Sequence, residues 1–414
     1  MTKAEPASRG HCLASHLKLD DRSSPVLPSS LDSAPASRPS PVRVFFPCTG
    51  LGRQQRGFET FTRECASALR DDDRLDVHVF AGGPADDVPA RVLWNLPRDS
   101  AGAAWLARLH GHGTYFSEQV TFFLSFLPRL VLGKPDVIYF ADLNLGNLCW
   151  HWRRFSGQRY RLVYYNGGLT TKPFTRADLV QQLTPEGLAE ATSRGEDPAR
   201  QIVLPHGVRV PPALPPSIRG AERLAFGLPS DRQIVLSVGL LDTSVKRMDY
   251  LVREMATMPV PRPFLCILGS ESAETPGVRS LATECLGEGN FMIRTVAPAD
   301  IGNFYRAADV FVLASVREGF GLVYVEALAH GLPIIAHDSP VTRYLLGRLA
   351  FLSDLQRPGA ARTAMIDALD ASTTNEQREA RHASARARFG WDALRERYVA
   401  MLAGAASVPI DGRA

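Results

Sequence analysis

From residue 42 onward, short apolar runs alternate with longer segments in which apolar residues recur every three or four positions. The runs VRVFFP (42–47), LDVHVF (75–80), RVLWN (91–95), PDVIYFA (135–141), RLVYY (161–165) and QIVLP (201–205) have the length of buried strands. Between the first two, FETFTRECASALR puts Phe58, Phe61, Cys65 and Leu69 on one helical face. Strand, helix, strand in this order predicts a parallel sheet covered on both faces. The pattern stops at VRVPPALPPS (208–217), where four prolines in ten residues block either regular element and predict a connector. It restarts with QIVLSVG (233–239), FLCILG (264–269), FMIRTV (291–296), DVFVLAS (309–315) and LPIIAH (332–337). Two successive α/β domains are expected, 42–210 and 219–390, joined by a linker at 211–218. NEQREARHASARARF (375–389) reads as a charged surface helix. WDALRERYVAMLAG (391–404) reads as an amphipathic one, with Trp391, Leu394, Tyr398 and Leu402 on its stripe.

Composition changes this picture mainly at the ends. Between Ser23 and Pro41, 12 of 19 residues are Ser or Pro, so residues 1–41 are expected to be disordered. Lys plus Arg is 47 against 43 for Asp plus Glu, a formal charge of +4, which gives no case for nucleic-acid binding. The six cysteines form no CxxC pair and no metal-ligand spacing, and read as reduced thiols used as small hydrophobes. The N-terminus, MTKAEPASRGHC, has no apolar core for a signal peptide, and a cytoplasmic setting is expected. Tyr115–Gly133 is the most apolar stretch, but Glu118, Pro128 and Arg129 interrupt it, and a helix packed on the sheet is predicted rather than a membrane span. CWHWRRFSGQRYR (149–161) interleaves aromatics with arginines. It reads first as a helix end with snorkelling side chains, and second as a weak peripheral contact with headgroups at the inner membrane face.

The chemistry concentrates in DVFVLASVREGFGLVYVEALAHGLPIIAHD (309–338). A strand runs into Val316-Arg317-Glu318-Gly319-Phe320-Gly321, and a helix is predicted from Leu322 to about His330, stopped by Gly331 and Pro333. Gly319 and Gly321 let a ligand approach the backbone. The N–H groups opening the helix, with its dipole, make an anion site suited to a diphosphate. Glu318 and Glu326 bracket that site with seven residues between them. Carboxylates there would repel a phosphate unless aimed at hydroxyls, as on a sugar and a ribose. The bland alternative is a capping Glu318 and an ordinary polar Glu326.

This stretch resembles the Glu-x7-Glu region of the retaining glycosyltransferase family 4, whose fold is GT-B: two Rossmann-like domains facing a cleft. SVGLLDTSVKRMDYLV (237–252), YRAADVFVLAS (305–315), LPHGV (204–208) and the terminal WDALRERYVAML support the resemblance. It implies transfer of a sugar from a nucleotide-diphosphate sugar to an acceptor hydroxyl with retained configuration, in surface glycan or glycoconjugate synthesis. The acceptor would be a glycan, a lipid-linked sugar or a small molecule. No cofactor and no metal are required beyond the nucleotide-sugar co-substrate. By the same resemblance, Glu318 contacts the donor sugar near the reaction centre. Gly319, Phe320, Gly321 and Leu322 present backbone N–H groups to sugar and phosphate, Glu326 holds the ribose, and Lys246 neutralises the diphosphate. Gly50 and Gly52 close over the sugar from the opposite domain, and the terminal helix crosses back to the N-terminal domain.

Two positions depart from the family pattern. The Arg that usually stands six residues before the Lys is Leu240 here, which leaves Arg247 or Arg317 to supply the missing charge. A His usual at an N-domain strand end is replaced in YRLVYYNGG by Asn166, which hydrogen-bonds but takes no proton at neutral pH. A front-face route, in which the departing phosphate oxygen takes the acceptor's proton, tolerates Asn166. The same departures leave a non-catalytic nucleotide-sugar-binding protein as a rival, beside a GT-B epimerase or phosphorylase. GLGRQQRG (50–57) has the wrong spacing for a dinucleotide fingerprint, and Phe80-Ala81-Gly82 lacks the acidic residue that would hold its ribose. Asp71-Asp72-Asp73 reads as a solvated turn, and His110 and His112 as loop residues without a third metal ligand.

Overall fold

The structure is a computed structural model that describes residues 40–54, 56–85, 88–168, 174–213, 219–371 and 374–410. The Ser/Pro-rich tail up to residue 39 and residues 214–218 of the proline connector lie outside the described residues.

The first half contains β1 Val42–Cys48, β2 Leu75–Ala81, β3 Ala90–Val92, β4 Val137–Phe140, β5 Arg161–Asn166, β6 Leu179–Gln182 and β7 Gln201–Val203. Its helices are α1 Gly57–Leu69, α2 Ala101–His110, α3 Thr114–Gly133, α4 Leu143–Ser156 and α5 Pro185–Ser193. The strands form one parallel sheet in the order β3-β2-β1-β4-β5-β6-β7. Phe61, Cys65 and Leu69 of α1 are buried against it, as their spacing predicts, while Phe58 is partly buried. The apolar α3 packs Phe122, Phe126 and Leu130 against Phe45, Phe80 and Ile138 of the other face. Among the described residues, no helix is long and apolar enough to cross a membrane.

The second half repeats the plan with α6 Arg219–Ala225, β8 Ile234–Val238, α7 Met248–Ala256, β9 Phe264–Leu268, α8 Thr275–Leu286, β10 Phe291–Arg294 and α9 Pro298–Ala307. There follow β11 Val310–Leu313, α10 Leu322–Ala329, β12 Ile334–His337, α11 Pro340–Leu346, β13 Phe351–Ser353 and α12 Ala360–Asp370. Its parallel sheet runs β10-β9-β8-β11-β12-β13. Both sheets reverse their strand order beside the first strand, at β1/β4 and β8/β11. In such open sheets ligands settle outside the carboxyl ends of the strands at that reversal.

Sequence periodicity misses β6 and β13. In β6 the reason is chemical: Gln181 and Gln182 are buried, which a hydrophobicity pattern reads as a loop. Gln181 Nε2 donates to Leu204 O at 2.7 Å and to the Tyr398 hydroxyl at 2.9 Å, so the interior position is fully bonded. The expected strand 91–95 closes at Val92, and Trp94 beyond it is 66% exposed.

Helices α13 Asn375–Phe389 and α14 Trp391–Ala405 end the fold. α13 packs on α10 of the second domain, whereas α14 packs on α1 of the first. Trp391 Nε1 donates to Glu64 at 3.1 Å, and the Tyr398 hydroxyl donates to Pro205 O at 2.8 Å. Where the chain crosses between domains its two passes touch. Val208 N–H donates to Phe389 O at 2.8 Å and Trp391 N–H donates to Val208 O at 3.3 Å, a small parallel bridge centred on Val208 and Gly390.

Candidate functional site

On the second domain, β11 delivers the loop from Ala314 to Gly321, and α10 begins at Leu322. Gly321 sits at the helix N-cap with φ +79, a backbone region open to glycine at no steric cost. Glu318 turns its carboxylate to Lys246, whose Nζ donates to Oε1 at 2.6 Å. Their side chains are only 13% and 20% exposed, so the pair sits partly shielded from water, where charge interactions are stronger than at an open surface. Lys246 is placed by the turn after β8. Asp242, buried, accepts from the backbone N–H groups of Val245 at 3.2 Å and Lys246 at 2.6 Å.

Glu326 lies one turn into α10, partly buried, and Tyr305 of α9 donates to its Oε2 at 2.9 Å. Burial pushes the Glu326 carboxyl up to about 7, against the lowering effect of the Tyr305 hydroxyl. His330 stacks on the Tyr305 ring at 5.1 Å.

The remaining candidates fall into two groups. Gly319 faces the other domain: a Cβ there would come within 3.2 Å of Gly167 O and 3.3 Å of the Gly168 carbonyl carbon. The end of β5, with Asn166 just before Gly167, therefore lies against the Glu318 loop. The Asn166 amide nitrogen donates to Gln182 Oε1 at 2.8 Å, which fixes its orientation. Leu322 is partly buried at the helix start, while Phe320 is almost wholly buried. The Phe320 ring stacks on His206 of the first domain at 6.0 Å and meets Phe389 edge-on at 6.0 Å, so its side chain belongs to the interdomain core.

Arg247 is not brought to Glu318. It adopts a left-handed φ of 53, lays its guanidinium over Tyr250, and donates from Nη1 to Leu355 O at 2.8 Å. Leu240 is 42% exposed, and Arg317 is exposed in the loop before Glu318. Gly50 and Gly52 sit in the loop after β1. A Cβ at Gly50 would stand 2.0 Å from the Glu59 carboxylate, and Gly52 packs on the Gly83 and Pro84 backbone.

Sequence reasoning treated His206 only as part of the turn LPHGV. It accepts or donates at Nδ1 with the Tyr165 hydroxyl at 2.7 Å, and burial holds its pKa down at about 3, so it stays neutral. Asp72, expected in a solvated turn, is instead paired with Arg74 at 2.9 Å and Arg395 at 3.6 Å, which ties that turn to α14. His110 and His112 close α2 and its loop, with His110 Nε2 against the Ser117 hydroxyl at 2.9 Å. Among the described residues no group of three or more His, Cys, Asp or Glu is gathered as a metal site would require.

Two parallel-sheet domains whose carboxyl ends face one cleft, with a glycine-opened helix on one side, define the GT-B architecture of glycosyltransferases. Residues 219–388 match the family model for glycosyl transferases group 1. The D-inositol 3-phosphate glycosyltransferase of Kineococcus radiotolerans is 35% identical over 156 residues, 34% of this chain and 35% of that protein. D-inositol 3-phosphate glycosyltransferase 2 of Catenulispora acidiphila is 33% identical over 214 residues, 48% of this chain and 49% of its own length. The chain thus spans half or less of the length of these relatives. Among solved structures, sucrose-phosphate synthase from Thermosynechococcus elongatus superposes with a TM-score of 0.72 at 19% identity, covering 86% of this chain and 97% of that one. Anabaena Alr3699/HepE in complex with UDP and glucose gives 0.67 at 18% identity, covering 87% and 99%. At these identities the likeness is one of fold.

Proposed function

We propose that this protein transfers a sugar from a nucleotide-diphosphate sugar to an acceptor hydroxyl, with retention at the anomeric carbon. The observation that carries the reading is the meeting of Lys246 and Glu318 at 2.6 Å beside the start of α10, opposite the end of β5. A cation for the diphosphate, a carboxylate for sugar hydroxyls and a helix start for phosphate oxygens converge at one rim of the cleft. Glu326, a turn away, is suited to the ribose. The relatives named above act, by their names, on an inositol phosphate, which makes a phosphorylated polyol one acceptor to try.

In the front-face course, the bond from C1 to the diphosphate oxygen breaks while the acceptor oxygen attacks from the same side. The acceptor's proton passes to the departing phosphate oxygen. Lys246 and the α10 N–H groups stabilise the charge growing on that oxygen, and Glu318 leaves the lysine for the sugar hydroxyls. Asn166 serves as a fixed hydrogen-bonding group near the reacting sugar. No step asks for a metal.

The test combines a thermal-shift panel of nucleoside diphosphates with product analysis. A ligand bound only by the folded state raises the melting temperature, and NMR of the product reads the anomeric configuration. Stabilisation by one diphosphate and a product of retained configuration are expected. Inversion would sink the retaining mechanism. Binding without transfer to any acceptor would favour the non-catalytic reading, to which Leu240 already lends some weight.

A further inference from the structure

The first domain carries a cavity of about 420 Å³ where α4 ends and β5 begins. Four arginines line it: Arg153, Arg154, Arg159 and Arg161. Arg161 opens β5 and Asn166 closes it, so about 17 Å of strand separates the cavity from the cleft. No acidic side chain lines it among the described residues.

The four arginines do not share one explanation. Arg153 and Arg154 belong to the last turn of α4, where cations offset the negative end of the helix dipole. Arg153 is buried and bonded within the protein, donating from Nη1 to Asp178 Oδ2 at 2.5 Å and to Tyr160 O at 2.9 Å. Gln158 is wall as well. Its Nε2 donates to Leu130 O at 3.1 Å, and its Oε1 accepts from Trp152 Nε1 at 2.8 Å.

Arg159 and Arg161 come from beyond the helix, and its dipole does not call for them. Arg161 is pinned by its Nε to the Val408 carbonyl and by its Nη1 to Arg159 O at 3.2 Å. Arg154 is exposed, and its guanidinium lies over the Trp150 ring at 4.9 Å, which fixes where that charge sits. Arg159 is exposed too, and its side chain makes no hydrogen bond or ion pair among the described residues. Guanidiniums gathered round one concavity focus a positive potential into it and favour a counter-ion there. Their planar forks match phosphate oxygens in particular.

We propose that this cavity binds a phosphate ester, held by Arg154, Arg159 and Arg161 against the fixed wall of Arg153 and Gln158. The site is separate from the donor site and does not depend on the transferase reading. Two sources share this chemistry, a soluble phosphate ester and a lipid headgroup. Phe155, next to Arg154, is 84% exposed and would meet acyl chains in the second case.

The experiment uses the full chain and two probes. One is sn-glycerol 3-phosphate, read by calorimetry. The other is vesicles of phosphatidylglycerol mixed with phosphatidylcholine, read by co-sedimentation against phosphatidylcholine alone. Wild type is compared with Arg159→Ala, Phe155→Ser, Lys246→Ala in the donor site, and Arg91→Ala, an exposed arginine of β3. Melting temperatures check folding. We expect Arg159→Ala to weaken binding about tenfold, the lower range for a lost hydrogen bond to a charged group. Lys246→Ala and Arg91→Ala should stay within twofold of wild type. If glycerol 3-phosphate is the probe weakened, the ligand is a soluble ester. If only the phosphatidylglycerol vesicles are bound and weakened, and Phe155→Ser weakens them further, it is a headgroup. Failure of both probes to bind overturns the site, as does binding that Arg159→Ala leaves unchanged. An equal fall in Arg91→Ala overturns it as a diffuse effect of charge, and an equal fall in Lys246→Ala overturns it by moving the phosphate to the cleft. UDP binding enters none of these results, so the transferase reading stands or falls separately on the nucleoside diphosphate panel.

Discussion

On the C-terminal rim of the cleft, Glu318, Gly319, Gly321 and Glu326 come from nine consecutive residues, and only Lys246 is brought from elsewhere. On the N-terminal rim, Asn166 and Gly167 come from the end of β5, and Gly50 and Gly52 from the loop after β1. A helix start fixes the spacing of its own N–H groups, so a diphosphate and the two sugars on either side of it can be held by one short stretch. A hydroxyl presented from the opposite domain has no such ruler. Its contacts depend on where separate strands end, and they leave little trace in a linear pattern.

The comparison is most easily broken at Lys246. Removing a hydrogen bond to a charged group costs about 1.5–3 kcal/mol, roughly ten- to a hundredfold in nucleotide affinity. The loss in turnover exceeds this, because leaving-group charge grows in the transition state. Lys246→Ala is therefore expected to lower kcat more than a hundredfold, whereas Arg247→Ala, whose guanidinium serves the Leu355 carbonyl, lowers mainly the melting temperature. Steady-state kinetics on both decides it, and near-normal turnover in the first with collapse in the second would move the role to Arg247.

Glu318 sharpens the same contrast from the other side. With no sugar present it competes with a diphosphate for Lys246. Glu318→Gln should therefore bind a bare nucleoside diphosphate several times more tightly than wild type while turning over the sugar donor far more slowly. Equal or weaker calorimetric affinity would show that the ion pair does not hold the lysine back.

For Glu326 the expected effect is about tenfold. Its carboxyl keeps a proton up to about pH 7, and the ionised form is the one that accepts two ribose hydroxyls. Donor affinity should rise between pH 6 and 8, and Glu326→Gln should flatten that rise. The sign for stability is opposite. The folded state holds this proton more tightly than the unfolded chain, so the group's contribution to stability declines as pH climbs from the ordinary glutamate range toward 7, and is level above it. A wild-type affinity that does not change with pH would remove Glu326 from the ribose.

The smallest change is expected at Leu240→Arg. An exposed ion pair contributes about 0.2–1 kcal/mol, so nucleotide affinity should improve by no more than about fivefold with turnover retained. Loss of activity would mean that the leucine itself packs against a substrate.

The two-sheet plan was legible from apolar runs, and helix 375–389 from charge and spacing, because each signal is local. Glu318, Glu326 and Lys246 stand out as candidates through a family pattern carried within short windows, and the structure brings Lys246 to Glu318. For Phe320 the family pattern points to the backbone N–H alone. That its ring would stack on His206, over a hundred residues earlier, follows only from how the domains face each other. The arginine cavity is half legible for a related reason. CWHWRRFSGQRYR shows its cations in one window, whereas Ile410, which also lines it, is brought there from the far end of the chain. Arg247 shows the converse: charge and proximity to Lys246 recommended it, but a left-handed backbone at that residue aims it elsewhere.

The bridge between Val208 and Gly390 bears on how such a molecule can move. Two passes of one chain meet there through two backbone hydrogen bonds, and His382 reaches Pro211 O beside them at 2.8 Å. Sliding or pulling the domains apart would break those bonds and the seating of α14 on α1. Swinging them about that bridge would also part the Phe320 ring from His206. Parting the domains would therefore cost the Phe320–His206 stacking as well as the fit of the Glu318 loop against the end of β5.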